Sequence, residues 1–232
     1  LSIEAEAFGA RVRFAPDEVP AVTGQLVPDE DAAKALAVPD LARGRVPVSL
    51  AAIAAEKAQI ADKPLLAGVI GPFSLAGRLM DVSEILYACV DEPETVHLVV
   101  EKAAQFVTSY IQALREAGAD GVVMAEPLAG VLSPAMMEEF SCGAVQAVIS
   151  AVQRADFPVV YHNCGRLAPA AYPMLADLGA AAYHFGNAIQ MADALAAMPR
   201  DVLVMGNVDP AGVLTSGTPA RVREATLALM AA

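Results

Sequence analysis

The 232-residue chain has no tryptophan, three cysteines and three histidines, and its 27 acidic residues outnumber 15 basic ones. Each scarcity excludes something. Cys89, Cys142 and Cys164 are too few, and odd in number, for a disulfide scaffold, so a reducing cytoplasm is the expected compartment. The formal net charge of −12 and pI of about 4.6 disfavour nucleic acid or an anionic membrane surface as partner. The mean hydropathy of +0.48 is high, yet charges and amides interrupt every long apolar stretch before it reaches transmembrane length. Leu1-Ser2-Ile3-Glu4-Ala5-Glu6 has no basic region before an apolar core and is not a secretory signal. There is no initiator methionine, and the chain stops at Leu229-Met230-Ala231-Ala232 inside an apolar helical pattern. Both ends are therefore expected to be cuts.

What is present is an Ala-, Val- and Leu-rich composition, 56% hydrophobic, which suits helices packed over a buried parallel sheet. One domain is expected over 1–232: a Pro-punctuated lead-in of short helices over 1–64, then regular βα units over 65–232. Strands are expected at Leu65–Ile70, Gly121–Ala125, 158–162, 180–184 and 202–206. Helical stretches fall between them. One runs from Gly71-Pro72 through Tyr87. Another is capped by Asp91, presents Val96, Val99, Ala103, Phe106, Tyr110 and Leu114 on one face, and stops at Gly118. A third starts at Ser133-Pro134 and runs to Arg154, with others over 167–177 and 188–198 and after Thr218-Pro219. Strands and helices alternating at this spacing predict an α/β fold, a (β/α)8 TIM barrel incomplete at both ends. An open doubly wound sheet is the alternative, but no Gly-x-Gly-x-x-Gly turn supports it.

Unusual polar groups cluster just after the strands: Gly71-Pro72-Phe73-Ser74, Glu126-Pro127, His162-Asn163-Cys164-Gly165, His184-Phe185-Gly186-Asn187 and Gly206-Asn207-Val208-Asp209-Pro210. In a barrel these loops open on the carboxyl-terminal face, where active sites are built. His162 and Cys164 lie two apart, so both can face one ion. Imidazole nitrogen and thiolate sulfur are natural zinc donors, and the pair supplies two of the three protein ligands of a catalytic zinc. By the same alternation Tyr161 and Asn163 point away and pack. His97 is expected to be solvated, Met124, Met136 and Met137 to pack, and Arg78 to lie on the surface or meet an anion.

Together these motifs resemble the uroporphyrinogen decarboxylase superfamily, and within it the cobalamin-linked methyltransferases typified by methylcobamide:coenzyme M methyltransferase. The Gly-Pro-Phe element at Gly71, Gly118-Ala119-Asp120-Gly121 and Leu132-Ser133-Pro134 carry the superfamily likeness, and His162-Asn163-Cys164 carries the methyltransferase branch. The resemblance implies a barrel with zinc at its mouth, held by His162 and Cys164. It implies methylcobalamin or another corrinoid as methyl donor, a corrinoid-carrying protein as partner and a small thiol as acceptor. Glu126, Asn207 and Asp209 are the expected catalytic or substrate-orienting residues, and His184 and Phe73 the expected cofactor contacts. A homodimer is compatible with it. Two departures stand out: the family's third zinc-binding Cys is expected beyond residue 232, and Glu126 stands where many relatives carry Asp. Two other functions remain open: decarboxylation of uroporphyrinogen, which calls for arginines at the pocket mouth, and a non-catalytic corrinoid-binding barrel.

Overall fold

A computed structural model describes residues 2–231. The lead-in forms α1 (Ile3–Phe8), a small antiparallel hairpin of β1 (Arg11–Arg13) and β2 (Ala21–Thr23), α2 (Glu30–Ala35) and α3 (Val46–Lys57). The hairpin was not expected. Its strands are three residues each, too short for alternation to register in the sequence.

The regular part begins with β3 (Leu66–Ile70), followed by α4 (Pro72–Met80), α5 (Val82–Asp91) and the long α6 (Pro93–Glu116). Then come β4 (Gly121–Ala125), α7 (Pro134–Met137), a π-helical turn over Glu138–Cys142, and α8 (Gly143–Val152). The chain continues through β5 (Val159–Asn163), α9 (Ala171–Ala176), β6 (Ala182–Phe185), α10 (Met191–Ala197), β7 (Leu203–Met205) and α11 (Pro219–Met230). All five expected strands form, within one or two residues of their expected limits.

Three helical expectations are corrected. The stretch from Gly71-Pro72 through Tyr87 is two helices, because Asp81 takes φ 74° and ψ 143° and turns the chain. Asp91 ends α5 instead of capping α6, whose N-cap residue is Glu92. The helix after Ser133 is widened by the π turn before α8 resumes.

The five strands are parallel and hydrogen-bond in chain order, β3-β4-β5-β6-β7. A doubly wound sheet reverses its strand order at a switch point, and this one never does. The sheet is an arc of a (β/α) barrel. One face packs on the helices through Val69, Val122, Met124, Val159, Tyr161 and Tyr183. The six apolar residues of α6 singled out in the sequence are all buried, so its helical period does face this core. Met124 and Met137 pack as expected. Among the described residues no helix is long and apolar enough to cross a membrane.

Candidate functional site at the carboxyl ends of the strands

Register brings Ile70, Ala125, His162, His184 and Met205 into one row across the sheet, near the carboxyl ends of the strands. Alternation then separates the faces of β5. Val159, Tyr161 and Asn163 are buried, while His162 is half-buried and Cys164, one residue past the strand, is exposed. The expectation that Tyr161 and Asn163 pack inward holds.

His162 and His184 meet because they are register partners in parallel strands. Their ring centroids are 4.7 Å apart and their Nδ1 atoms 2.7 Å apart, and His162 Nδ1 also lies 3.1 Å from the His184 carbonyl oxygen. One tautomer pair satisfies both contacts. His162 Nδ1–H donates to that carbonyl and to an unprotonated His184 Nδ1, which leaves His162 Nε2 with its lone pair free. Burial, and then the neighbouring His162, push the His184 pKa down and favour its neutral form. The exits of β5 and β6 also touch: a Cβ on Gly186 would sit 2.7 Å from Cys164 Cα, so only glycine fits there.

The donor chemistry at this mouth suits zinc. His162 offers an imidazole nitrogen held by a carbonyl on its other side, a usual arrangement for metal-ligating histidines, and Cys164 offers an accessible thiol. The donor count is one short. Among the described residues no group of three His, Cys, Asp or Glu side chains is placed to hold an ion together. Cys89 and Cys142 lie buried in the α5 helix and the π turn, where burial pushes their thiols up to about 11 and about 12. Neither is at a strand end.

The other expected site residues are placed differently. Glu126, anticipated as a catalytic carboxylate, is wholly buried. Its Oε1 accepts from Phe73 N at 2.8 Å and Ser141 Oγ at 3.2 Å, and its Oε2 accepts from Ser74 N at 2.9 Å. A carboxylate against the first N–H groups of a helix satisfies orphan donors and complements the helix dipole. Glu126 therefore anchors the start of α4 to the end of β4, and direct contact with substrate gives way to a positioning role. Burial pushes its pKa up, against the opposing pull of the Ser74, Phe73 and Ser141 donors. Phe73, the expected cofactor contact, is 0% exposed in the core.

Asn207 Nδ2 donates to the carbonyls of Gly186 and Ile189 at 2.8 and 2.7 Å, tying the β7 exit to the β6 exit. Asp209 Oδ1 accepts from Ala211 N and Gly212 N and caps the π segment Pro210–Thr215. The hydrogen bonds of both go to backbone, so the structure gives them loop-shaping work. His97 is not simply solvated: it stacks on Phe140 at 4.8 Å with Nε2 3.4 Å from Glu139. Arg78 is half-buried in the last turn of α4. The sequence named Ser74 and Gly186 only as members of strand-exit clusters, without a role, and gave no notice of Ser141 or Gly130; of these two only Gly130 carried a signal, as a glycine in the turn after β4.

Comparison with known proteins agrees with this geometry. The uroporphyrinogen decarboxylase family profile matches residues 1–232. Similar curated proteins include a uroporphyrinogen decarboxylase of Desulfotalea psychrophila, 29% identical over 96% of this chain and 66% of its own length. Another, from Neisseria meningitidis, is 28% identical over 97% of this chain and 65% of its own length. The chain thus spans about two thirds of the length of these relatives, 66% and 65%. Among solved structures, a methyltransferase from Methanosarcina mazei superposes with a TM-score of 0.92 at 25% identity, covering 99% of this chain and 68% of the other. The five-stranded arc is thus part of a TIM barrel of this type, and the chain belongs to the uroporphyrinogen decarboxylase family.

Proposed function

We propose that this protein is a zinc-dependent methyltransferase that moves a methyl group from a methylated corrinoid to a thiol. The observation that carries the reading is the pairing of His162 and Cys164 at the carboxyl end of β5: an exposed thiol follows an imidazole whose Nε2 is free. Zinc, held by these two residues and a third donor from outside residues 1–232, would acidify a substrate thiol at neutral pH. In that reaction the thiol would lose its proton to solvent, its sulfur would bond to the methyl carbon, and the electron pair of the cobalt–carbon bond would stay on cobalt. The residues of this chain do the positioning. His184 sets the His162 tautomer, Gly186 brings the β6 exit against Cys164, and Glu126 holds the start of α4 beside the mouth. The methyltransferase of Methanosarcina mazei supports this branch of the family. A corrinoid-carrying protein is the partner the reaction needs.

A second reading, decarboxylation of a tetrapyrrole, is favoured by the names of the curated relatives. It calls for arginines at the pocket mouth: Arg45 is paired with Glu6, whereas Arg43, Arg78 and the exposed Arg166, two residues past Cys164, make no ion pair among the described residues. The test is zinc content of the full-length protein beside His162→Ala and Cys164→Ala, followed by methylcobalamin consumption with candidate thiols. About one zinc per chain, lost in both variants, supports methyl transfer, because each ligand of a structured site is needed. No zinc, together with turnover of uroporphyrinogen, selects decarboxylation.

A further inference from the structure

Between the two residues of the His-x-Cys pair lies a side chain that the proposed chemistry does not use. Asn163 is 0% exposed at the end of β5. Its Nδ2 donates to the Glu126 carbonyl at 2.8 Å and lies 3.4 Å from the Tyr161 hydroxyl. Its Oδ1 accepts from Gly165 N at 2.8 Å. One amide thus ties the exit of β4 to the backbone just past Cys164. Two glycines close on it. A Cβ on Gly130, in the 3-10 turn Leu128–Val131 after β4, would lie 2.5 Å from Asn163 Oδ1 and 2.9 Å from Gly165 Cα. A Cβ on Gly165 would lie 2.9 Å from Gly130 Cα. The two loops touch backbone to backbone, with the Asn163 amide oxygen packed against the contact.

We propose that Asn163 is a positioning residue for Cys164, fixing the direction of its thiol by clamping Gly165 N to the β4 exit through the Gly130–Gly165 contact. Cys164 is exposed, and among the described residues its thiol makes no disulfide and no hydrogen bond. The peptide that follows it is held by a buried amide whose loss would orphan the Gly165 N–H and the Glu126 carbonyl. The role reaches the metal only through Cys164, and to that extent rests on the function proposed above. The clamp itself does not.

The test uses the full-length protein with Asn163→Ala, Gly130→Ala and, as a control, Gln153→Ala. Gln153 performs a similar backbone clamp at the opposite end of the same strand, accepting from Val159 N and Ala181 N. Two quantities are read: cobalt(II) affinity with its thiolate charge-transfer band, and hydrogen exchange at the Gly165 amide. Asn163→Ala and Gly130→Ala should each weaken cobalt binding by about 10–100-fold, the usual cost of losing a residue that orients a metal ligand. Gly165 should exchange about fivefold to tenfold faster, the net worth of one intramolecular hydrogen bond. Gln153→Ala should lower the melting temperature while leaving both readouts at the wild-type level. If Asn163→Ala does not fold, Gly130→Ala, which removes no polar group, carries the same comparison. A folded Asn163→Ala with wild-type cobalt affinity and Gly165 protection overturns the proposal, as does an equal loss in Gln153→Ala. If the wild type takes up no cobalt, the metal reading fails and Gly165 exchange alone decides the clamp.

Discussion

A carboxylate taken wholly out of water must be hydrogen-bonded, and Glu126 meets that requirement with two backbone N–H groups and a serine hydroxyl. Glu126→Ala should therefore cost about 1–3 kcal/mol for each orphaned donor, read as a fall in denaturation midpoint at unchanged slope. Its pH dependence has a defined sign. Burial raises the folded pKa above the ordinary 4.5, so the folded state holds the proton more tightly than the unfolded chain does. The stability this group adds is complete below about pH 4.5 and is lost as pH rises through the raised value. Relative to Glu126→Gln, the wild type should lose stability from pH 4.5 upward, and a difference growing in the opposite direction would refute the assignment. The thiols divide just as clearly. With Cys89 and Cys142 pushed up to about 11 and about 12, neither carries appreciable thiolate at neutral pH, and both are buried. Mass-mapped alkylation of the native protein should modify Cys164 alone, with the other two reacting only after unfolding.

At the level of elements, the long α6 was legible because its apolar period extends over 24 residues, enough for the 3.6 repeat to declare itself. The break between α4 and α5 was not. Val82-Ser83-Glu84-Ile85 continues a helical pattern, and nothing at Asp81 announces a positive φ. There Asp81 occupies a backbone region that favours glycine, and compensates by accepting from Ser83 N at 2.8 Å. Such strain costs about 1–3 kcal/mol, whereas glycine at an N-cap loses only a few tenths, so Asp81→Gly should stabilise by about 1 kcal/mol. Asp81→Ala should destabilise, since it keeps the strain and discards the cap. Thermal unfolding of the two variants, shifting in opposite directions, is the check.

For the whole molecule, the ordering of strands decides where stability lies. β4 and β5 are paired on both sides and buried against the helices, whereas among the described residues β7 pairs only with β6. Leu203 and Met205 on β7 are 60% and 40% exposed. In a preparation of residues 1–232, amides of β4 and β5 should outlast those of β7 in native-state hydrogen exchange, because local opening follows buried contact. Equal protection across the arc would mean that β7 is covered, as it would be by further strands of a closed barrel. The same ordering builds the mouth: consecutive parallel strands put every exit loop on one side, so the β6 exit meets Cys164 and the turn after β4 meets Gly165.

The sequence by itself determined the strand–helix alternation, the five strands, the buried face of α6 and the placement of His162 and Cys164 at one strand end. Those follow from periodicity and turn chemistry, which are local. Tertiary structure alone decided which strand-exit residues face the mouth. Glu126, Phe73, Asn207 and Asp209 sit at strand exits as expected, yet burial and hydrogen bonding turn the first two into the core and commit the others to loop backbone. The contact between His162 and His184 and the clamp at Asn163 likewise depend on which strands are neighbours and in what register. Register and neighbour choice are long-range properties, set by packing of the whole sheet against its helices, and no short stretch of chain encodes them.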